Sequence, residues 1–297
     1  VRSLFIVLIV FYGCPCGRGD RVMIPMLSMF LMLADQVPPP ADVVSTEDII
    51  VKAAKPPAPE EARRFVRSIS IEIDGQIARF VDPVCPKVLG LDDITARAID
   101  TRLRMVTRMA GIAVDAANCR PNAYIIFAED GRKLVAELYK SNPLLFSAVT
   151  ETERARVLND AGPVRVWRST SLRNEDGQPV RGGILTVKTG SVVNPQTQQV
   201  VEGSVIVFDN MATVGKTVRQ LADYSAVRLL SKTRPPEQLS EAATILALFS
   251  VAEGEAPLSM TSVDQQYLRA LYKGAGNRSA SVKKADIATA VGSKPGN

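Results

Sequence analysis

The 297-residue chain is 46% hydrophobic and contains no histidine. It therefore has apolar material for a core without a metal or a dense disulfide framework. Every mechanism that needs an imidazole is excluded: the Ser-His-Asp triad, the Cys-His pair, the HExxH zinc site and the His phosphorelay. The formal charge is +5, and because residues 1–34 hold three arginines against one aspartate, the remainder carries only +3. Spread over that length, this is a solvated surface and not a nucleic-acid footprint.

Two apolar runs open the chain, Leu4 to Tyr12 and Met23 to Ala34, separated by Gly17-Arg18-Gly19-Asp20-Arg21. Each is shorter than the ~20 residues a spanning helix needs and matches the core of a signal peptide. The biological start is expected at Met23 and cleavage near Ala34, so that residues 1–34 form a targeting segment. A lipoprotein signal ending at Cys14 is the alternative, but Phe11-Tyr12-Gly13 fits poorly before a lipidated cysteine. The expected location is periplasmic or secreted, with no transmembrane span.

Removal of the leader leaves two cysteines, Cys85 and Cys119. An oxidising compartment favours their pairing, with two buried thiols as the alternative. Two lone cysteines without histidine or CxxC spacing supply too few ligands for zinc, and no cofactor is expected.

Residues 35–59 contain Val37-Pro38-Pro39-Pro40 and Lys55-Pro56-Pro57-Ala58-Pro59 and are expected to be an extended tether. Within it, Ile49-Ile50-Val51 could add an edge strand. Residues 60–297 are expected to form a single α+β domain. A helix begins at Glu60-Glu61-Ala62 and gives way to strand-like alternation at Ile69-Ser70-Ile71-Glu72-Ile73, a turn at Asp74-Gly75 and an extended piece over 78–84. Residues 92–110 carry the clearest helix signal, with Asp92 as cap, Ile99, Leu103, Val106 and Ala110 at core spacing, and Gly111 as the stop. Arg97, Arg104 and Arg108 lie on its polar side, with Asp100 placed to pair with Arg104.

Tyr124-Ile125-Ile126-Phe127-Ala128 reads as a buried strand, followed by a helix over 132–139 and a further helix opened by the capping-box spacing Thr150-Glu151-Thr152-Glu153. Strands are expected at Val164 to Arg168 and Ser204 to Phe208, with turns at Asn174-Glu175-Asp176-Gly177 and Asn194-Pro195 between them. The last third is helical, over 216–231, 240–249, 262–272 and 281–291, with Pro235-Pro236 and Pro257 as breaks. Strands followed by helices favour an α+β domain, a small mixed sheet with packed helices, over a doubly wound one.

No motif signposts catalysis. There is no G-x-S-x-G, P-loop or dinucleotide fingerprint. Arg181-Gly182-Gly183 reads as a hairpin, and Lys188-Thr189-Gly190 has no Ser-x-x-Lys ahead of it, the order found in penicillin-binding proteins.

Met260-Thr261-Ser262-Val263-Asp264-Gln265-Gln266-Tyr267-Leu268-Arg269-Ala270-Leu271-Tyr272 resembles the closing helix of zincin-type metalloproteases. Upstream, Gln220-Leu221-Ala222-Asp223-Tyr224-Ser225-Ala226 lies where that family places its HExxH helix. Together with Asp82-Pro83-Val84-Cys85-Pro86 and Asn118-Cys119-Arg120-Pro121-Asn122, the pattern is similar to an uncharacterised family of exported proteobacterial proteins, over most of 60–290. The resemblance sets Ala222 and Ala226 at the zinc-binding positions and Asp223 at the catalytic carboxylate. Methyl groups cannot bind zinc, and without a Lewis acid that carboxylate cannot activate water by the family's route.

The residues themselves describe a packing helix, with Val218, Leu221, Ala222, Ser225 and Leu229 as a narrow core stripe. Likewise Val263, Tyr267, Ala270 and Leu271 have core spacing, and Ser262 with Gln265 matches a capping box. The resulting expectation is a non-catalytic, zincin-like exported domain with a binding or structural role in the bacterial envelope, its partner an envelope protein or peptide. The alternative is a histidine-free hydrolase acting on envelope or peptide substrates through Asp223 with a nearby Ser or Lys. A third expectation is a small envelope module with an apolar binding groove beside the terminal helices.

Overall fold

The computed structural model describes residues 56–146, 148–179, 195–237, 242–252 and 254–293, all belonging to one compact unit. The leader, most of the tether, the apolar piece at 49–51 and the two glycine triplets near 181–190 lie outside the described residues.

Helix α1 (Pro59–Ile69) buries Ala62, Phe65, Val66 and Ile69, a helical spacing that carries Ile69 into the helix instead of the expected strand. Past it, Ser70 makes a single bridge to Thr233, and Ile73 closes on Gln76 through a tight turn in which Asp74 and Gly75 have φ of 48° and 73°. The segment expected to be extended over 78–84 likewise makes only isolated bridges, Arg79 to Val200 and Val84 to Val114.

Strand β1 (Pro86–Leu89) was not legible in the sequence, being four residues long between a proline and Gly90. Gly90 has φ of 88°, and a Cβ there would collide with the Phe127 carbonyl oxygen, so the chain turns off β1 at a point only glycine fits. Helix α2 (Asp93–Met109) follows, with the Asp92 carboxylate accepting from the Ile94 and Thr95 amides, both at 3.0 Å. Its expected face is buried, and Arg104 pairs with Asp100 at 2.7 Å.

Strand β2 (Ala123–Ala128) lies parallel to β1 and to β4 (Thr197–Asp209), and β3 (Val164–Asn174) runs antiparallel to β4, giving a four-stranded mixed sheet in the order β1-β2-β4-β3. The fold is thus α+β with packed helices. Alternation along the strands separates two cores. Ile125, Phe127, Val166, Ile206 and Phe208 face the larger one with α2, α6 (Val218–Leu230), α7 (Ser262–Tyr272), α8 (Ala280–Val291) and α1. Trp167 and Val207 face a smaller core filled by Val135 of α3 (Gly131–Ser141), Phe146 and Val157 of α4 (Glu151–Asn159). A four-residue helix, α5 (Asn210–Thr213), links β4 to α6.

The β3–β4 pair is longer than the sequence suggested, 11 and 13 residues, with a register shift at Ser169/Thr170. Its polar outer half, with Ser169, Thr170, Ser171, Arg173, Gln198 and Gln199, lacks the apolar run that marks a buried strand. Instead, Arg173 ties it to Glu202 (2.7 Å) and Asp82 (2.6 Å). The expected turn forms, with Gly177 at φ 80° and its amide donating to the Asn174 carbonyl.

The helix expected over 240–249 is not present among the described residues there. Ile245–Ala247 form one 3-10 turn, because the Thr244 hydroxyl accepts the Leu246 amide while the Asp264 carboxylate takes the Ile245 amide. Helix α7 has the expected bounds, but its capping box is Thr261 with Asp264, one residue ahead of the Ser262–Gln265 pair expected.

Candidate functional site

Helix α6 is the element on which the sequence placed its candidate chemistry, and it is buried on all sides. Every residue from Gln220 to Leu230 is shielded from solvent, whereas Val218, expected in the core stripe, is 39% exposed. The narrow-stripe expectation is therefore corrected: α2, α7, the 3-10 turn and the sheet surround the helix, so its polar residues lie inside as well. Each must find a partner or carry a desolvation cost.

Asp223 is completely buried and is held by a fork. Arg102 of α2 donates Nε to Oδ1 at 2.6 Å and Nη2 to Oδ2 at 3.0 Å, and the Met260 amide donates to Oδ2 at 2.7 Å. The carboxylate thus joins α2, α6 and the approach to α7. No Ser or Lys hydrogen-bonds to it among the described residues; the nearest serine in sequence, Ser225, donates to the Leu221 carbonyl of its own helix. Ala222 and Ala226, the positions the zincin resemblance assigns to metal ligands, are fully buried members of the larger core.

Asp264 is the second carboxylate inside. It accepts from the hydroxyls of Thr244 (2.5 Å) and Thr261 (2.9 Å) and from the amides of Ile245 and Thr261 (both 2.9 Å). Burial pushes its pKa above the ordinary value, opposed by these four hydrogen bonds. Both carboxylates are tie points for the C-terminal helices. Among the described residues no group of three or more His, Cys, Asp or Glu side chains could hold a metal.

The carboxy-terminal end of α6 carries a cluster that the sequence reading missed. Arg228 is 6% exposed and Arg168 of β3 is 3% exposed. The Arg168 Nη2 donates to the Ser231 carbonyl at 2.5 Å and the Arg228 Nη1 to the Thr233 carbonyl at 2.7 Å. Alongside, Lys232 pairs with Glu153 of α4 at 2.7 Å, and Tyr267 shares a 2.7 Å hydrogen bond with Ser70. Burial pulls the Arg168 guanidinium down to about 9, with the nearby Arg228 charge adding to the effect, and burial lowers Arg228 as well. The signal for this cluster in the sequence was weak: Arg168 stands among strand residues and Arg228 in a helix that ends in Leu-Leu-Ser.

Cys85 and Cys119 are paired at disulfide distance, Cα to Cα 6.0 Å, pinning the start of β1 to the loop ahead of β2. A surface hollow of about 280 Å³ lies between α1 and α8, lined by Arg63, Arg67, Glu72, Ser281, Lys284 and two alanines, and neither Asp223 nor Asp264 reaches it. No helix among the described residues is long and apolar enough to cross a membrane. Comparison with protein-family models, with curated proteins and with solved structures gave no match.

Proposed function

We propose that this chain is an exported, non-catalytic domain, a zincin-like scaffold without its metal, that serves the bacterial envelope by binding a protein or peptide or as a structural element. The observation that carries this reading is the state of Asp223. A general base needs a lone pair turned toward a substrate proton. Here both carboxylate oxygens are engaged by Arg102 and Met260 inside the core, with no solvent contact. The same holds for the alternative, a histidine-free hydrolase: it would have to break a three-donor tie before Asp223 could act.

Export is supported by the Cys85–Cys119 pair, since such bridges persist in oxidising compartments. Ala222 and Ala226 support the loss of a metal centre, because their methyl groups fill core space where the resembled family would have imidazoles.

The test is metal analysis by plasma mass spectrometry together with cleavage of a peptide library by the purified mature protein. The expected result is no stoichiometric zinc and no chelator-sensitive hydrolysis. Stoichiometric metal accompanied by such hydrolysis overturns the proposal.

A further inference from the structure

The larger core holds two arginines that no described carboxylate hydrogen-bonds; Arg228 lies over the Tyr224 ring at 6.0 Å, and Glu153 and Asp160 act on the pair only at a distance. Arg168 and Arg228 are each more than nine-tenths buried, and every hydrogen bond they make goes to a backbone carbonyl. Neither guanidinium is bonded to a carboxylate among the described residues. Glu153, whose charge acts on Arg168, is already paired with Lys232. Arg156 adds a further cation at the rim, where its Nη2 donates to the Val166 carbonyl and its ion pair with Asp160 is loose at 4.0 Å. Counted together, Arg156, Arg168, Arg228 and Lys232 face Glu153 and Asp160, so the cluster keeps an excess of positive charge.

Three polar atoms of this cluster are buried without a partner: Nε of Arg168, Nε of Arg228 and Oγ of Ser204. They belong together. Ser204 is the cross-strand partner of Arg168, and both lie on the sheet face that α6 covers, with side chains about 5 Å apart at the Cβ atoms in such a pair. Arg228 joins them because the two guanidiniums donate to carbonyls two residues apart, on Ser231 and Thr233, whose hydroxyls lie 3.2 Å from each other. All three orphaned atoms can donate a hydrogen. Buried polar groups are rarely left unpaired, and a buried charge without a counter-charge is the most costly case.

The geometry points to an internal anion site, formed by Arg168, Arg228 and Ser204, that takes a small inorganic monoanion of the halide class. A macrodipole offers a competing account, since the negative end of α6 lies here. It amounts to about half an elementary charge, and two guanidiniums exceed it. Burial first, and the Arg228 charge second, lower the Arg168 guanidinium to about 9, and a bound anion would oppose both effects. Size follows from the setting: the three donor atoms are shut off from solvent, so an occupant bonded to them is a small ion and not an organic acid. This inference is independent of whether the domain is catalytic.

The test is thermal unfolding of the full mature chain in sodium chloride or sodium bromide against sodium gluconate at equal ionic strength. Gluconate is too large to enter. An anion that binds only the folded state raises the unfolding midpoint by roughly 5–10 °C when its concentration is 100-fold above the dissociation constant. The expected result is such a rise in chloride and bromide but not in gluconate, together with bromide-81 line broadening by the wild type. Arg168→Gln should abolish both. Ser204→Ala, which removes one donor and no charge, should fold normally and weaken the halide response several-fold, so the proposal stays testable if Arg168→Gln does not fold. Equal midpoints in chloride and gluconate, or a halide response unchanged in Ser204→Ala, would overturn it.

Discussion

The Arg102–Asp223 fork predicts an asymmetry that separates a structural carboxylate from a functional one. In Asp223→Asn the shape is kept and the amide oxygen can still accept from the Met260 amide and Arg102 Nη2. The new NH2 then faces Arg102 Nε, donor against donor, where Oδ1 had accepted at 2.6 Å. Arg102 has an escape, because its side chain is 22% exposed and can swing into water. The cost should therefore fall at about 2–3 kcal/mol, below the usual ~3–5 kcal/mol for breaking a buried pair. Arg102→Met is the harsher change. It leaves the carboxylate, with no exposure at all, one backbone donor and no counter-charge, and the cost should reach about 3–5 kcal/mol. The double variant should cost clearly less than the sum of the two. Urea titration followed by Trp167 fluorescence reads all three, since this is the lone tryptophan of the chain and sits in the smaller core. A rise in midpoint for Asp223→Asn would refute the reasoning, because stabilisation on removing a charge is the mark of a group held at a cost for function.

Two further outcomes follow from the described geometry. Reduction of the Cys85–Cys119 pair, which spans a sequence separation of 34, should lower stability by about 3–4 kcal/mol in the chain-entropy picture. The urea midpoint with and without reductant checks it, and an unchanged midpoint would show that the bridge does not constrain the unfolded chain. Burial pushes the Tyr267 hydroxyl from 10.0 up to about 12, against the opposing hydrogen bond to Ser70. The folded state then holds this proton where the unfolded chain releases it. The Tyr267 contribution to stability should be flat below pH 10 and fall by roughly 1.4 kcal/mol per pH unit as pH rises from 10 to 12, on top of the alkaline fall from Tyr224 and Tyr272, whose hydroxyls burial also raises. Tyr267→Phe should show a shallower alkaline fall than the wild type in the same titration, and identical slopes would disprove the assignment.

What the sequence disclosed was whatever the chain states locally. Helix α2 was readable because its cap, its apolar spacing and its terminating glycine lie within twenty residues of one another. The same is true of β2, α7 and the Asn174–Gly177 turn. The misses have a common physical source. Ile69 to Ile73 alternates as a strand does, yet Ile69 also completes the helical spacing begun at Ala62, and packing on α8 and the larger core decides for the helix. The outer half of β3–β4 is polar because its side chains pair with one another and with Asp82, so no apolar run announces it. The segment after Pro236 held enough hydrophobic residues for a helix, but Asp264, about twenty positions downstream, claims the Ile245 amide and fixes a tight turn.

Helix α6 shows why the candidate site was only half legible. Periodicity assigns polar residues to a solvent face, and α6 has no solvent face past Arg219. Asp223 and Arg228 are tolerated inside because of residues far along the chain: Arg102 lies 121 positions from Asp223, and Arg168, which shares the Arg228 cluster, bonds a carbonyl 63 positions away. No local rule can supply such partners. The resemblance to a metalloprotease helix picked out Asp223 for its type and place, and the structure gives that carboxylate an ion-pair partner that accounts for its burial without catalysis. For Arg228 at the other end of the same helix, and Arg168 of β3 beside it, no carboxylate among the described residues is hydrogen-bonded to the guanidinium. A helix whose buried carboxylate is hydrogen-bonded to a counter-charge and whose buried arginine is not has its unexplained electrostatics at Arg228, and that is where a ligand has the most to gain by binding.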